Sequence, residues 1–161
     1  MTSREIAMRS FLIISSMAWL LSPCHCFAAD SNQPAPPSRQ VYEQFRSIKT
    51  FALGGVGPLG AMSDEEQCFR TIAVSSNALQ LFATTLTNGT TEARLYALCG
   101  IRHLAPETFA AHTAAVMAAN KRVTIMEGCW LSRERTSNVV IRIKEGFYDH
   151  HFEIGSRASD L

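Results

Sequence analysis

Apolar positions recur at helical spacing through most of the middle of this chain, and polar or glycine-bearing turns interrupt the pattern at short intervals. Ser38 precedes Val41, Phe45 and Ile48, spaced i, i+4 and i+7, which predicts a short helix capped by the serine hydroxyl. Ser63-Asp64-Glu65-Glu66 has the form of a capping box, in which Ser63 meets the Glu66 amide and the Glu66 carboxylate reaches back. The helix it opens turns Cys68, Phe69 and Ile72 inward. A further helix is expected over 76–86, with Leu79, Phe82 and Leu86 on one side and a stop at Asn88-Gly89. The next, over 91–103, carries Ala93, Tyr96, Ala97, Leu98, Cys99 and Ile101 around nearly its whole circumference, so it should be the most buried element. Pro106 suits a helix start, and Phe109, Thr113, Val116 and Met117 give that helix its apolar face.

Helices joined by such short turns must double back on one another. The fold class expected is mainly α, with short stacked antiparallel hairpins of HEAT or armadillo type. Two such repeats are too few for a stable solenoid, so another element must cap them. The last third is the natural cap. Val123 to Trp130 is β-branched and apolar and reads as a strand. Thr136-Ser137 then offers an N-cap to a helix with Val139, Val140 and Ile143 inward, ending at Gly146. The alternative for 136–146 is a second strand built on Val139-Val140-Ile141. Lys144-Glu145-Gly146 favours the helix.

The N-terminal pattern is of another kind. Arg4 and Arg9 precede an apolar run over 11–21, then Pro23 and Cys26-Phe27-Ala28-Ala29. Charged, then apolar, then small at the cut is the layout of a secretory signal peptide, and the run is too short for a permanent anchor. Cleavage is expected near Ala28 or Ala29, giving a periplasmic or secreted protein. Leu21-Ser22-Pro23-Cys24 resembles a bacterial lipobox, but proline stands where a small residue is required, so soluble export is preferred over lipidation of Cys24. The organisation expected is therefore 1–29 signal peptide, 30–38 flexible Pro-rich leader, 39–148 a single helical domain and 149–161 a tail.

Beyond Ala29 basic and acidic residues balance, which gives no electrostatic argument for nucleic acid or an anionic membrane. No later apolar run approaches spanning length, so the mature chain is not expected to cross a membrane. Export also sets the meaning of Cys68, Cys99 and Cys129. In an oxidising compartment two of the three can pair, in three possible ways. Cys99–Cys129 is preferred, because it would tie the last third to the central helix, with Cys68 left as a small buried hydrophobe.

Three segments, Phe51-Ala-Leu-Gly-Gly-Val-Gly, Arg94-Leu-Tyr-Ala-Leu-Cys-Gly-Ile and Met126-Glu-Gly-Cys129, resemble in that order a group of uncharacterised exported bacterial proteins, over residues 45–148. The resemblance implies a small α-rich exported domain in a bacterial periplasm. It carries no activity with it.

Chemical motifs are sparse. The GGVGPLG loop makes Gly54, Gly55 and Gly57 the candidate ligand residues, since glycine amides can cradle an anion. It lacks the GK[ST] ending of a P-loop, and a structural turn is the simpler reading. Asp149-His150-His151 spells the motif of a phosphoesterase family that requires a much larger α/β domain. No metal site is expected, and His150 and His151, with Asp149 and Glu153, are the residues that would supply one. His103 and His112 stand on different predicted helices without a carboxylate partner. Asn88-Gly89-Thr90 is a formal glycosylation sequon that matters only in a eukaryotic route. There is no GxSxG elbow, no CxxC beyond the signal, and no catalytic residue or cofactor to name. Two function classes remain: a non-catalytic exported domain that binds another exported or envelope protein, and a small-ligand or metal-binding periplasmic protein.

Overall fold

The computed structural model describes residues 35–152. The segment expected to be a signal peptide, most of the expected leader and Glu153 lie outside them. The described chain is mainly helical with one small antiparallel sheet. Its elements are α1 (Arg39–Arg46), α2 (Asp64–Ala73), α3 (Ala78–Asn88), α4 (Thr91–Leu104), α5 (Pro106–Ala119), β1 (Arg122–Glu127), β2 (Trp130–Arg135) and α6 (Thr136–Lys144), followed by a 3-10 turn, Asp149–His151.

α4 is the centre, as its all-round apolar pattern predicts. Ala93 and every residue from Leu95 to Ile101 are buried. It packs most extensively on α3, then on α5, and α6 closes over α4 and α5. The α3–α4 approach depends on Gly100, because a Cβ there would lie inside the Phe82 ring. Phe45 of α1, Phe69 of α2, Phe82 and Tyr96 form one aromatic cluster, with Phe69–Tyr96 centroids 5.3 Å apart and Phe45–Phe82 5.9 Å. Such contacts add to the gain from burying large rings. α2 packs chiefly on α1 and only lightly on α3, so helix pairing centres on α3, α4 and α5.

The caps follow the sequence in part. Ser38 Oγ accepts from the Val41 amide at 3.3 Å and Ser63 Oγ from the Glu66 amide at 3.1 Å. Segment 136–146 contains a helix, with Val139, Val140 and Ile143 buried as expected. It ends in a Schellman pattern, Phe147 N–H to Arg142 O at 3.0 Å and Gly146 N–H to Ile143 O at 3.1 Å, with Gly146 at φ +81°. Thr136 does not cap it. Arg135 occupies the N-cap without a side-chain bond, and the Thr136 hydroxyl instead donates to Lys121 O at 2.7 Å.

Other expectations are corrected. The strand does not run through to Trp130: it ends at Glu127, the chain turns at Gly128-Cys129 and returns as β2, pairing Arg122 with Arg135 and Glu127 with Trp130. Leu79 is 43% exposed rather than inward. Cys99 and Cys129 do not pair. Cys99 is buried on α4, Cys129 is exposed on the hairpin turn, and all three thiols among the described residues are free. Residues 149–152, expected to begin a loose tail, dock on the domain. Phe152 stacks on His103 at 4.7 Å and meets Phe69 at 5.4 Å, while Arg102 holds Asp149 through two hydrogen bonds of 3.0 and 2.8 Å.

Candidate functional site

The glycine-rich loop, the first turn of α2 and the docked C-terminal turn meet in one place. Ser63 starts α2 and donates to Ala52 O at 3.1 Å, which fixes the strand-like segment leading into the loop. The Tyr96 hydroxyl holds the same residue from α4, donating to Ala52 O at 2.8 Å and accepting from Ala52 N–H at 2.9 Å. Burial pushes the Tyr96 phenol far above its ordinary value.

Glu66, one helical turn beyond Ser63, points into the fold and is only 2% exposed. Its carboxylate does not return to the Ser63 amide as a capping box requires. Oε2 accepts from Gly54 N–H at 2.9 Å and Gly55 N–H at 3.4 Å, while Oε1 accepts from Arg70 Nε at 2.9 Å and Nη2 at 2.6 Å. A buried charge persists only when paired and hydrogen-bonded, and here both conditions are met. Arg70 Nη2 also donates to His151 O at 2.6 Å, so one guanidinium joins α2 to the C-terminal turn. The His151 imidazole lies over Gly54, where a Cβ would fall inside its ring. Gly54 stands at φ +104° and Gly55 at φ +84°, conformations that favour glycine. The His151 imidazole is held below its ordinary 6.5, first by loss of water and then by neighbouring His150.

The candidate ligand glycines are thus brought together, with their amides already engaged. Gly54 and Gly55 donate to Glu66, and Gly57 donates to Gly128 O at 2.9 Å, linking the loop to the hairpin turn. A carboxylate from the chain's own α2 stands where an anionic ligand would bind. A cleft of ≈ 250 Å³ remains beside it, lined by Gly54, Gly55, Gly60, Met62, Glu66 and His151. A larger open depression, ≈ 500 Å³, lies at the α2–α3 turn against Leu104 and has no titratable group in its lining.

The histidine candidates separate. His150 and His151 are adjacent, with ring centroids 3.7 Å apart, but Asp149 is committed to Arg102 and Glu153 lies outside the described residues. Among the described residues no three His, Cys, Asp or Glu side chains gather as metal ligands would. Burial raises the thiols of Cys68 and Cys99, which disfavours the thiolate a nucleophile or ligand needs. Reading the sequence alone missed the Glu66–Arg70 pair as part of this cluster. The i, i+4 spacing of acid and base was its only signal. Compared with protein-family models, curated proteins and solved structures, the chain matches none.

Proposed function

We propose that this is an exported, non-catalytic domain that works by binding another envelope protein through the exposed surface of its helices, which stack in a HEAT-like manner. The observation that carries the reading is the state of its buried polar groups. Glu66, Arg70 and the Gly54 and Gly55 amides are spent on one another, so the buried acid–base pair beside the Gly54–His151 cleft ties the loop to α2 and the C-terminal turn rather than standing free for chemistry. An apolar groove between α5 and α6, of ≈ 170 Å³ and lined by Phe109, Thr113, Met117, Val140 and Ile141, supports the same reading. Met117 and Ile141 are partly exposed along it. The partner is an exported protein presenting an apolar side chain to that groove.

Two measurements test this. The exported chain should have its N-terminus at Ala29 or Asp30 by intact mass, and a diacylglyceryl adduct on Cys24 would establish the lipoprotein route instead. A photo-crosslinking residue at Ile141 should give one discrete adduct, and the same probe at Lys49, on the loop after α1, should give none. Equal adducts at both positions, or none at either, would retire the interaction reading. The cleft beside Gly54 and His151 keeps a second reading in view, a small-ligand binder. A ligand that shifts the His151 ring resonances would favour it.

A further inference from the structure

A different surface carries an inference of its own. The β1–β2 hairpin buries one face, through Val123 and Ile125, and leaves the other to solvent. Strand alternation and the observed register place Arg122, Thr124 and Met126 on that outer face, opposite Arg135, Arg133 and Leu131. Arg122 and Arg135 are directly cross-strand, a position where side chains stand about 5 Å apart and like charges repel. Arg133 is on the same face, Lys121 adjoins Arg122 in sequence, and all four cations are exposed. None of them forms an ion pair among the described residues. The neighbouring carboxylates are engaged elsewhere. Glu127 and Glu134 are both held by Arg142 of α6, at 2.8 and 2.9 Å, and Glu92 accepts from the Thr124 amide. At the turn end of the same hairpin Leu131, on this outer face, is 67% exposed, and Trp130, next to it on the opposite face, is 81% exposed.

We propose that this hairpin docks on an anionic lipid surface, its outer-face arginines at the phosphate level and its turn end, with Leu131 on the same face and Trp130 at the edge, in the interfacial layer. An uncompensated cross-strand arginine pair is costly alone and is relieved by a partner that supplies negative charge. Charge complementarity therefore calls for an anionic partner, and the residues at the tip select its kind. Indole and long basic side chains settle at a membrane–water boundary, and an adjoining leucine gains by leaving water there. A soluble polyanion would answer the arginines and give Leu131 nothing. The formal net charge of only +1 conceals this patch, because the balancing acids lie elsewhere, as at Asp64 and Glu65 on α2. The inference is independent of the α5–α6 groove, and either can fail alone.

The test is co-sedimentation of the full chain with vesicles of equimolar phosphatidylcholine and phosphatidylglycerol, compared with phosphatidylcholine alone. The apolar run over 11–21 contributes to both, so the readout is the excess on anionic vesicles. The triple variant Arg122→Ser/Arg133→Ser/Arg135→Ser should lower that excess about tenfold or more, as should raising the salt. Trp130→Ser/Leu131→Ser should lower it too, and Arg39→Ser/Lys49→Ser should leave it unchanged. All the substituted side chains are exposed, and circular dichroism checks that each variant remains folded. An excess that survives in the triple variant would overturn the proposal. So would one that ignores Trp130 and Leu131 while soluble heparin competes it away, since the patch would then read a polyanion rather than a bilayer.

Discussion

Glu66 accepts two guanidinium and two backbone N–H groups while almost wholly out of water. Glu66→Gln keeps the shape but removes the charge and turns a donor toward Arg70 or the loop amides. We expect a loss of about 1–3 kcal/mol in denaturant unfolding, with the glycine loop and the 149–152 turn loosening together. The Ser63 half of this motif was legible, because a cap is a local contact. The destination of the carboxylate was not, since Gly54 and Gly55 approach only once the chain has folded back. His151 gives the second prediction at this scale. Its folded value lies below the ordinary 6.5, so the native state prefers the neutral ring. The unfolded chain then takes up the proton first as pH falls. The contribution is complete above 6.5 and is lost as pH drops through the folded value. Wild type should therefore lose more melting temperature than His151→Gln between about pH 7.5 and 5.5. Parallel curves would show that the ring is equally content charged.

Among the elements, α4 was the most legible and β2 the least, for physical reasons. Burial on all sides leaves a chain no polar face, and the run from Leu95 to Ile101 records that directly. β2, Trp-Leu-Ser-Arg-Glu-Arg, has no β-branched residue and almost no burial. It is a strand because β1 offers a ladder and Arg142 draws Glu134 toward α6, neither of which the segment itself encodes. In α6 the β-branched Val139-Val140-Ile141 invited a strand, but Gly146 supplied a helix stop and tertiary burial of Val139, Val140 and Ile143 did the rest. The close approach of α3 and α4 at Gly100 yields a prediction. Gly100→Ala puts a methyl group into the Phe82 ring and should cost about 1–3 kcal/mol although alanine favours helix. Phe82→Ala should cost about 3–5 kcal/mol by leaving a cavity. Combining the two should cost less than their sum, because removing the ring makes room for the methyl group. Strict additivity in thermal unfolding would show that the two helices do not meet at this point.

For the whole molecule, what joins the last third to the helical layer is packing and charge rather than a covalent bridge. Val139, Val140 and Ile143 bury against the core, Phe152 seats between His103 and Phe69, and Arg102 and Arg70 hold the turn at 149–152. The expected Cys99–Cys129 link rested on compartment and on the need for a cap, and the cap is supplied without it. The thiols are then distinguishable by access alone. Cys129 is exposed on the β1–β2 turn, Cys68 is buried beneath α1, and Cys99 lies inside α4, where burial also keeps it protonated. Alkylation of the folded chain should modify Cys129 at once among these three, with Cys68 and Cys99 reacting only as fast as the domain opens. Peptide mapping without reduction should recover no 99–129 peptide. A Cys99→Ser/Cys129→Ser chain should change melting temperature little beyond the cost of placing one hydroxyl in the core. If that chain instead lost the several kcal/mol that a loop-closing disulfide contributes, and reductant lowered the wild type equally, the native protein would be held by a covalent bond between α4 and the hairpin.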